Sequence, residues 1–156
     1  MAARHLHALA VMLTALALVP GGAHLAEMPA KLALPRDAYL LVQNIYRGWA
    51  WFGAVIIAAI AANLALGLLL RRCGQGGGRA LAAAGLMLAT LGVFFTWTFP
   101  ANQATGNWTI LPAADWEALR RDWEYSHAAN ALLTFGALCL AVLSLPAEQR
   151  RETQDR

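Results

Sequence analysis

The sequence predicts an all-α fold, a four-helix transmembrane bundle with a partly helical, tryptophan-rich outer cap, and three observations carry that expectation. The chain of 156 residues is 59% hydrophobic and only 13% charged, with a mean hydropathy of +0.47, which is more apolar surface than one soluble domain of that size hides. Four runs are nearly free of charge, residues 6–25, 48–70, 80–99 and 128–145, and each is close to the ~20 residues a helix needs to cross ~30 Å of hydrocarbon. These runs are rich in Ala, Leu and Gly, with Gly67, Gly85, Gly92 and Gly136 among them, a composition suited to close helix contact in lipid. The whole of residues 1–156 reads as a single integral membrane domain.

The first run follows Arg4 and His5, includes His7 and continues through Leu25. Its order of charged, apolar and small residues, ending in Pro20-Gly-Gly-Ala23, also matches a signal peptide whose cleavage would remove residues 1–23. We read it as the first span, because the apolar run extends past that point. The second and third runs are joined by "RRCGQGGGR", which carries Arg71, Arg72 and Arg79 and no acid. With Arg4 before the first span and Arg150, Arg151 and Arg156 after the last, this places both termini in the cytoplasm of a bacterial inner-membrane protein. The same asymmetry accounts for the net charge of +3. No basic stripe with interleaved aromatics points to nucleic acid. The glycines of "GQGGGR" lack the preceding strand and the lysine of a phosphate-binding loop. Cys73 and Cys139 have neither zinc spacing nor a disulfide partner in view.

Residues 26–47 and 100–127 form the other side. They hold Trp108, Trp116, Trp123, Tyr39, Tyr46 and Tyr125, and Trp49, Trp51 and Trp97 sit just inside the spans at the same end, so all six tryptophans are on one side. An interfacial belt normally forms at both interfaces, and its one-sidedness here predicts a structured cap or a binding site. Asp37, after Pro35 and Arg36, is a candidate N-cap for a helix whose face carries Tyr39, Val42, Tyr46 and Gly53 and which leads into the second span. Asp115, after Pro112, is a second one, and beyond it Trp116, Arg120, Trp123 and His127 form one helical stripe. Glu124 on that helix has Arg120 and Arg121 within pairing distance along the sequence.

The first span ends "HLAEMP", with His24 and Glu27 three residues apart, and the fourth begins "EYSHAAN", with Glu124 and His127 three residues apart in the opposite order. Because the first helix runs outward and the fourth inward, the two histidines fall at matched depth, with each glutamate about 4.5 Å further out by helical rise. Three uses are open. His24, Glu27, Glu124 and His127 could ligate a single metal ion, in outline like the Glu-x-x-His sites of helical bundles. His127 and Glu124 could work as acid and base without any cofactor. A haem on His24 and His127, with Arg47, Arg120 or Arg121 near its propionates, suits the intruding glutamates less well.

Three stretches, "HLAEMP…LPRDAYLLVQNIYRGWAWFG", "FTWTFPANQATGNWT" and "DWEALRRDWEYSHAANALL", span most of the chain. Through Tyr46-Arg47-Gly48-Trp49, Pro100-Ala-Asn102 and the Trp116 to His127 helix, they resemble the anthrone oxygenase-like family of small membrane proteins. The resemblance implies insertion of oxygen into an electron-rich polycyclic anthrone without a flavin or haem, and it singles out His127, Glu124, Asn102 and Trp123. The mechanism expected is stacking of a flat apolar substrate among Trp49, Trp97 and Trp123 beside Tyr46. His127 would then take a proton from an acidic carbon while Asn102 and Arg47 steady the resulting oxyanion. A noncatalytic membrane subunit or small-molecule binding protein is the alternative. Expected partners are the lipid bilayer, an apolar small molecule, and a second copy or a larger membrane complex.

Overall fold

The computed structural model describes residues 2–110 and 114–144. Pro112, the arginines of the tail and the last residue of the fourth expected span lie outside them. Six α-helices make up the described chain: α1 (Ala2–Leu32), α2 (Arg36–Gln43), α3 (Phe52–Arg72), α4 (Gly78–Val93), α5 (Phe99–Ala104) and α6 (Trp116–Val142), with no strand among the described residues. A π-helical turn over Phe94–Thr98 fuses α4 to α5. Four rods result, Ala2–Leu32, Trp49–Arg72, Gly78–Ala104 and Trp116–Val142, each long and apolar enough to cross a membrane. Each packs on two neighbours, α1 on α3 and α6, α4 on α3 and α6, which closes a square bundle.

The packing is inverted relative to a protein that folds in water. Small residues fill the interior, in one cluster of Ala17, Ala59, Ala83, Met87, Ala137 and Ala141 and another of Ala10, Ala62, Leu66, Leu70 and Ala80. Large apolar residues point outward: Leu9, Met12, Leu16 and Val19 on α1, Ile57, Leu64 and Leu68 on α3, Leu132, Phe135 and Val142 on α6. In water that exterior would be an aggregating surface. In lipid it is solvated, and close approach of small residues supplies the dispersion energy that holds the helices. One polar tie crosses the Ala-packed region, where Asn63 donates to Thr14 Oγ1 at 2.9 Å.

Several boundaries differ from the sequence reading. α1 runs through Pro20 and Pro29 to Leu32, seven residues past the expected end. A proline inside a helix removes one backbone bond, and within a bundle neighbouring groups absorb that loss. Pro35, not Asp37, occupies the N-cap of α2, and Asp37 lies in its first turn. The expected helix leading from α2 into the second span is broken at Gly48, whose φ of 87° is left-handed and open to glycine without strain. Asp115 is the N-cap of α6, as its position suggests, but its side chain makes no capping bond. The π turn precedes Pro100, whose ring would clash with a carbonyl one α-turn back, and the wider turn relieves that contact.

At one end of the bundle His7 Nε2 lies 3.0 Å from Ala141 O and an Arg79 guanidinium N–H donates to Leu143 O. The start of α1, the arginine-bearing loop and the close of α6 therefore share that end. A third cluster, built on Tyr39, Ala101, Trp108 and Trp123, forms the cap at the other.

Candidate functional site

The inward face of α1 places Ala10, Ala17, His24 and Lys31 at seven-residue intervals, and all four are buried. The last two of these reach the cap and meet Trp123, Glu124 and His127 of α6. His24 is enclosed by rings: Tyr46 at 4.3 Å between centroids, His127 at 4.3 Å, Trp123 at 4.8 Å and Trp49 at 5.6 Å. Trp123 also stacks on His127 at 4.0 Å.

Lys31 is the residue that sequence reasoning missed. Its ammonium lies 2.9 Å from Glu124 Oε1 and 3.3 Å from His24 Nδ1, and 4.9 Å above the ring centroids of both Tyr46 and Trp123. Lys31 is 3% exposed and the Glu124 side chain 0%, so this is a buried pair, held further by the two aromatic faces. Tyr39 donates its hydroxyl to the same Glu124 oxygen at 3.0 Å. Burial, with the carboxylate alongside, holds the Tyr39 phenol above its usual range, so it stays a donor. Tyr46 donates to Glu27, and burial with that hydrogen bond raises its phenol as well.

These contacts fix the histidine tautomers. A lysine ammonium has only donors, so His24 Nδ1 accepts and His24 Nε2 carries the proton. A backbone carbonyl only accepts, so His127 Nδ1, 2.8 Å from Trp123 O, carries the proton and His127 Nε2 keeps its lone pair. One imidazole presents a donor and its neighbour an acceptor, and neither Nε2 has a hydrogen-bond partner among the described residues.

The four residues of the mirrored pairs are thus in one region, but not as a metal site. Glu124 is taken by Lys31 and Tyr39, Glu27 by Tyr46, and the Lys31 ammonium supplies the positive charge that an ion would bring. No three His, Cys, Asp or Glu side chains among the described residues are grouped to hold a metal. A haem fares no better, because axial histidines face each other across a porphyrin, whereas these two rings touch directly at 65° between planes. Glu124 pairs with neither Arg120 nor Arg121; Arg120 instead donates to Leu34 O at 3.0 Å and covers Trp116.

Of the expected oxyanion partners, Arg47 is exposed and stands apart from the cluster. Asn102 is inside the cap but occupied: its Oδ1 accepts from the indoles of Trp123 at 2.8 Å and Trp108 at 3.1 Å. It anchors two tryptophans through its acceptor, which leaves its Nδ2 donors as the group it could offer an oxyanion. Trp49 and Tyr46 line the site, while Trp97, on the π turn, is 50% exposed and outside the ring cluster. Thr98 and Ser126 are bonded at 2.7 Å, and Ser126 also donates to Trp123 O, which ties α6 to the π turn. No family model, curated protein or solved structure matches the chain.

Proposed function

We propose that the protein is a membrane oxidoreductase that uses dioxygen to oxidise a flat, apolar, enolisable substrate, with His127 as the base. One observation carries the reading: His127 has its Nδ1 committed to Trp123 O and its Nε2 left as an acceptor, 4.3 Å between ring centroids from His24, inside an aromatic enclosure. A neutral imidazole so oriented is equipped to take a proton, and the tryptophan and tyrosine rings are a stacking surface for a planar molecule. The resemblance to anthrone oxygenases supports the same chemistry. Removal of a proton gives an electron-rich anion that reacts with dioxygen directly. One oxygen atom becomes the new carbonyl of the former methylene, and the other leaves as water with both methylene hydrogens, so dioxygen is the sole oxidant. Membranes containing the protein are expected to consume dioxygen and form the quinone one for one when given anthrone. No uptake above that of control membranes, across anthrone and related tricyclic phenols, sinks the oxygenase reading.

A second reading, a noncatalytic subunit or small-molecule binding protein within a membrane complex, is favoured by the tight enclosure of His24, which is 4% exposed. Binding of anthrone without turnover is its signature.

The bilayer we assign is a bacterial inner membrane, with both termini cytoplasmic and the aromatic cap outside. Support comes from Arg71, Arg72 and Arg79 at the end of the bundle shared by the start of α1 and the close of α6. A reporter inserted at Gly76 is expected to be cytoplasmic and one at Gly106 exported. Export of the Gly76 fusion reverses the orientation and puts the histidines on the cytoplasmic side.

A further inference from the structure

The two histidine rings in contact at the site each leave one nitrogen without a protein partner. His24 Nε2–H and His127 Nε2 have none among the described residues. Glu124 Oε2, on the residue that holds Lys31, is buried and unpaired. A ring nitrogen inside an aromatic enclosure that no protein group satisfies is open to a hydrogen bond from a ligand. The two imidazoles offer one donor and one acceptor, the complement of a hydroxyl group, which donates once and accepts through its oxygen. Rings whose centroids are 4.3 Å apart suit a single shared oxygen better than two reacting positions at opposite edges of a tricyclic molecule.

We propose that this site binds a phenol or the enol tautomer of a ketone by its hydroxyl and removes the proton from oxygen, with His127 as the base and His24 as the donor that holds the anion. The inference rests on the base role given to His127 above and changes both the atom that loses the proton and the group that stabilises the charge. The substrate O–H bond breaks, its proton goes to His127 Nε2, and the oxygen keeps the electron pair and accepts the His24 Nε2–H; no electron is transferred. Lys31 is the positioning residue. By donating to His24 Nδ1 it prevents that nitrogen from carrying the proton, and so keeps Nε2–H directed to the ligand. Glu124 and Tyr39 hold Lys31 in turn. The asymmetry of the pair is built by its surroundings, since two free imidazoles in contact would exchange roles.

4-Nitrophenol tests this without any oxidation, because it has no methylene to convert and its phenolate is coloured. With the purified full chain in nanodiscs, the bound phenol is expected to ionise at lower pH than in empty nanodiscs. 4-Nitroanisole, which lacks the hydroxyl, is expected to bind more weakly. His24→Ala should lower the preference for the anion over the neutral phenol by on the order of 10- to 100-fold, the loss of one hydrogen bond to a charged group. Nitrogen-15 NMR of the unaltered protein should show His24 protonated at Nε2 and His127 at Nδ1. The Lys31→Met/Glu124→Gln variant, which leaves no buried charge, should let His24 populate both tautomers and lose most of the anion preference. Nitrophenol bound in neutral form, or His24 protonated at Nδ1, overturns the proposal. The outcomes separate it from the oxygenase reading: anion binding without oxygen uptake removes only the oxygenase, and uptake of oxygen with nitrophenol bound neutral removes only this inference.

Discussion

Lys31→Met is expected to destabilise the bundle by about 3–5 kcal/mol, the cost of stranding one member of a buried ion pair. Glu124 is 1% exposed as a residue, and without the ammonium its Oε1 keeps only the Tyr39 hydroxyl while Oε2 has no partner to begin with. Methionine retains the apolar stem against Tyr46 and Trp123, so the loss reports charge and not volume. Adding Glu124→Gln should recover most of the stability, since a neutral amide still accepts from Tyr39 and carries no desolvated charge. Thermal unfolding of wild type, the single variant and the double variant in the same detergent reads this directly. A single variant as stable as wild type shows that the pair is uncoupled and that Glu124 is held in another way.

His127→Ala is expected to reduce turnover of anthrone by on the order of 10²- to 10⁴-fold, the usual contribution of a positioned base, with helix content unchanged. Folding tolerates the change because the four spans are apolar along their lengths. Trp123 O, the acceptor for His127 Nδ1, keeps its hydrogen bond from Ser126 Oγ at 2.9 Å. Oxygen uptake and circular dichroism on one preparation make the comparison. Activity within a few fold of wild type removes His127 as the base and leaves the aromatic enclosure as a binding site.

The fold was legible because hydrocarbon imposes a length and a composition that any reader of the chain can see. Matched depth of His24 and His127 was legible too, since antiparallel helices of fixed rise convert sequence position into height. Lys31 was not, because it lies six residues past Leu25, where the charge-free run ends; only its place in the line from Ala10 through Ala17 and His24 marks it as an inward residue, and that line shows once the helix is known to continue. The occupation of Asn102 by two indoles depends on how α5 meets α6, a tertiary fact that no local pattern encodes. Depth alone put Trp97 with the other tryptophans, and depth does not say which way a side chain on the π turn faces. Arg47 was chosen for its charge next to a motif, but burial decides which cation matters in a low-dielectric site, and that belongs to Lys31.

The inverted packing divides the molecule into two halves with different entropies. Alanine gives up no rotamer freedom on burial, so the half built on Ala10, Ala17, Ala59, Ala80 and Ala137 is ordered at little configurational cost and has few side-chain states in which to rearrange. The cap is ordered by side chains with several torsions each, Lys31, Glu124, Tyr46 and Trp123 among them, and that freedom can be recovered when a guest replaces a neighbour. On the proposed reading, a ligand is admitted by rotamers turning at one end over a stationary frame, without the helices parting.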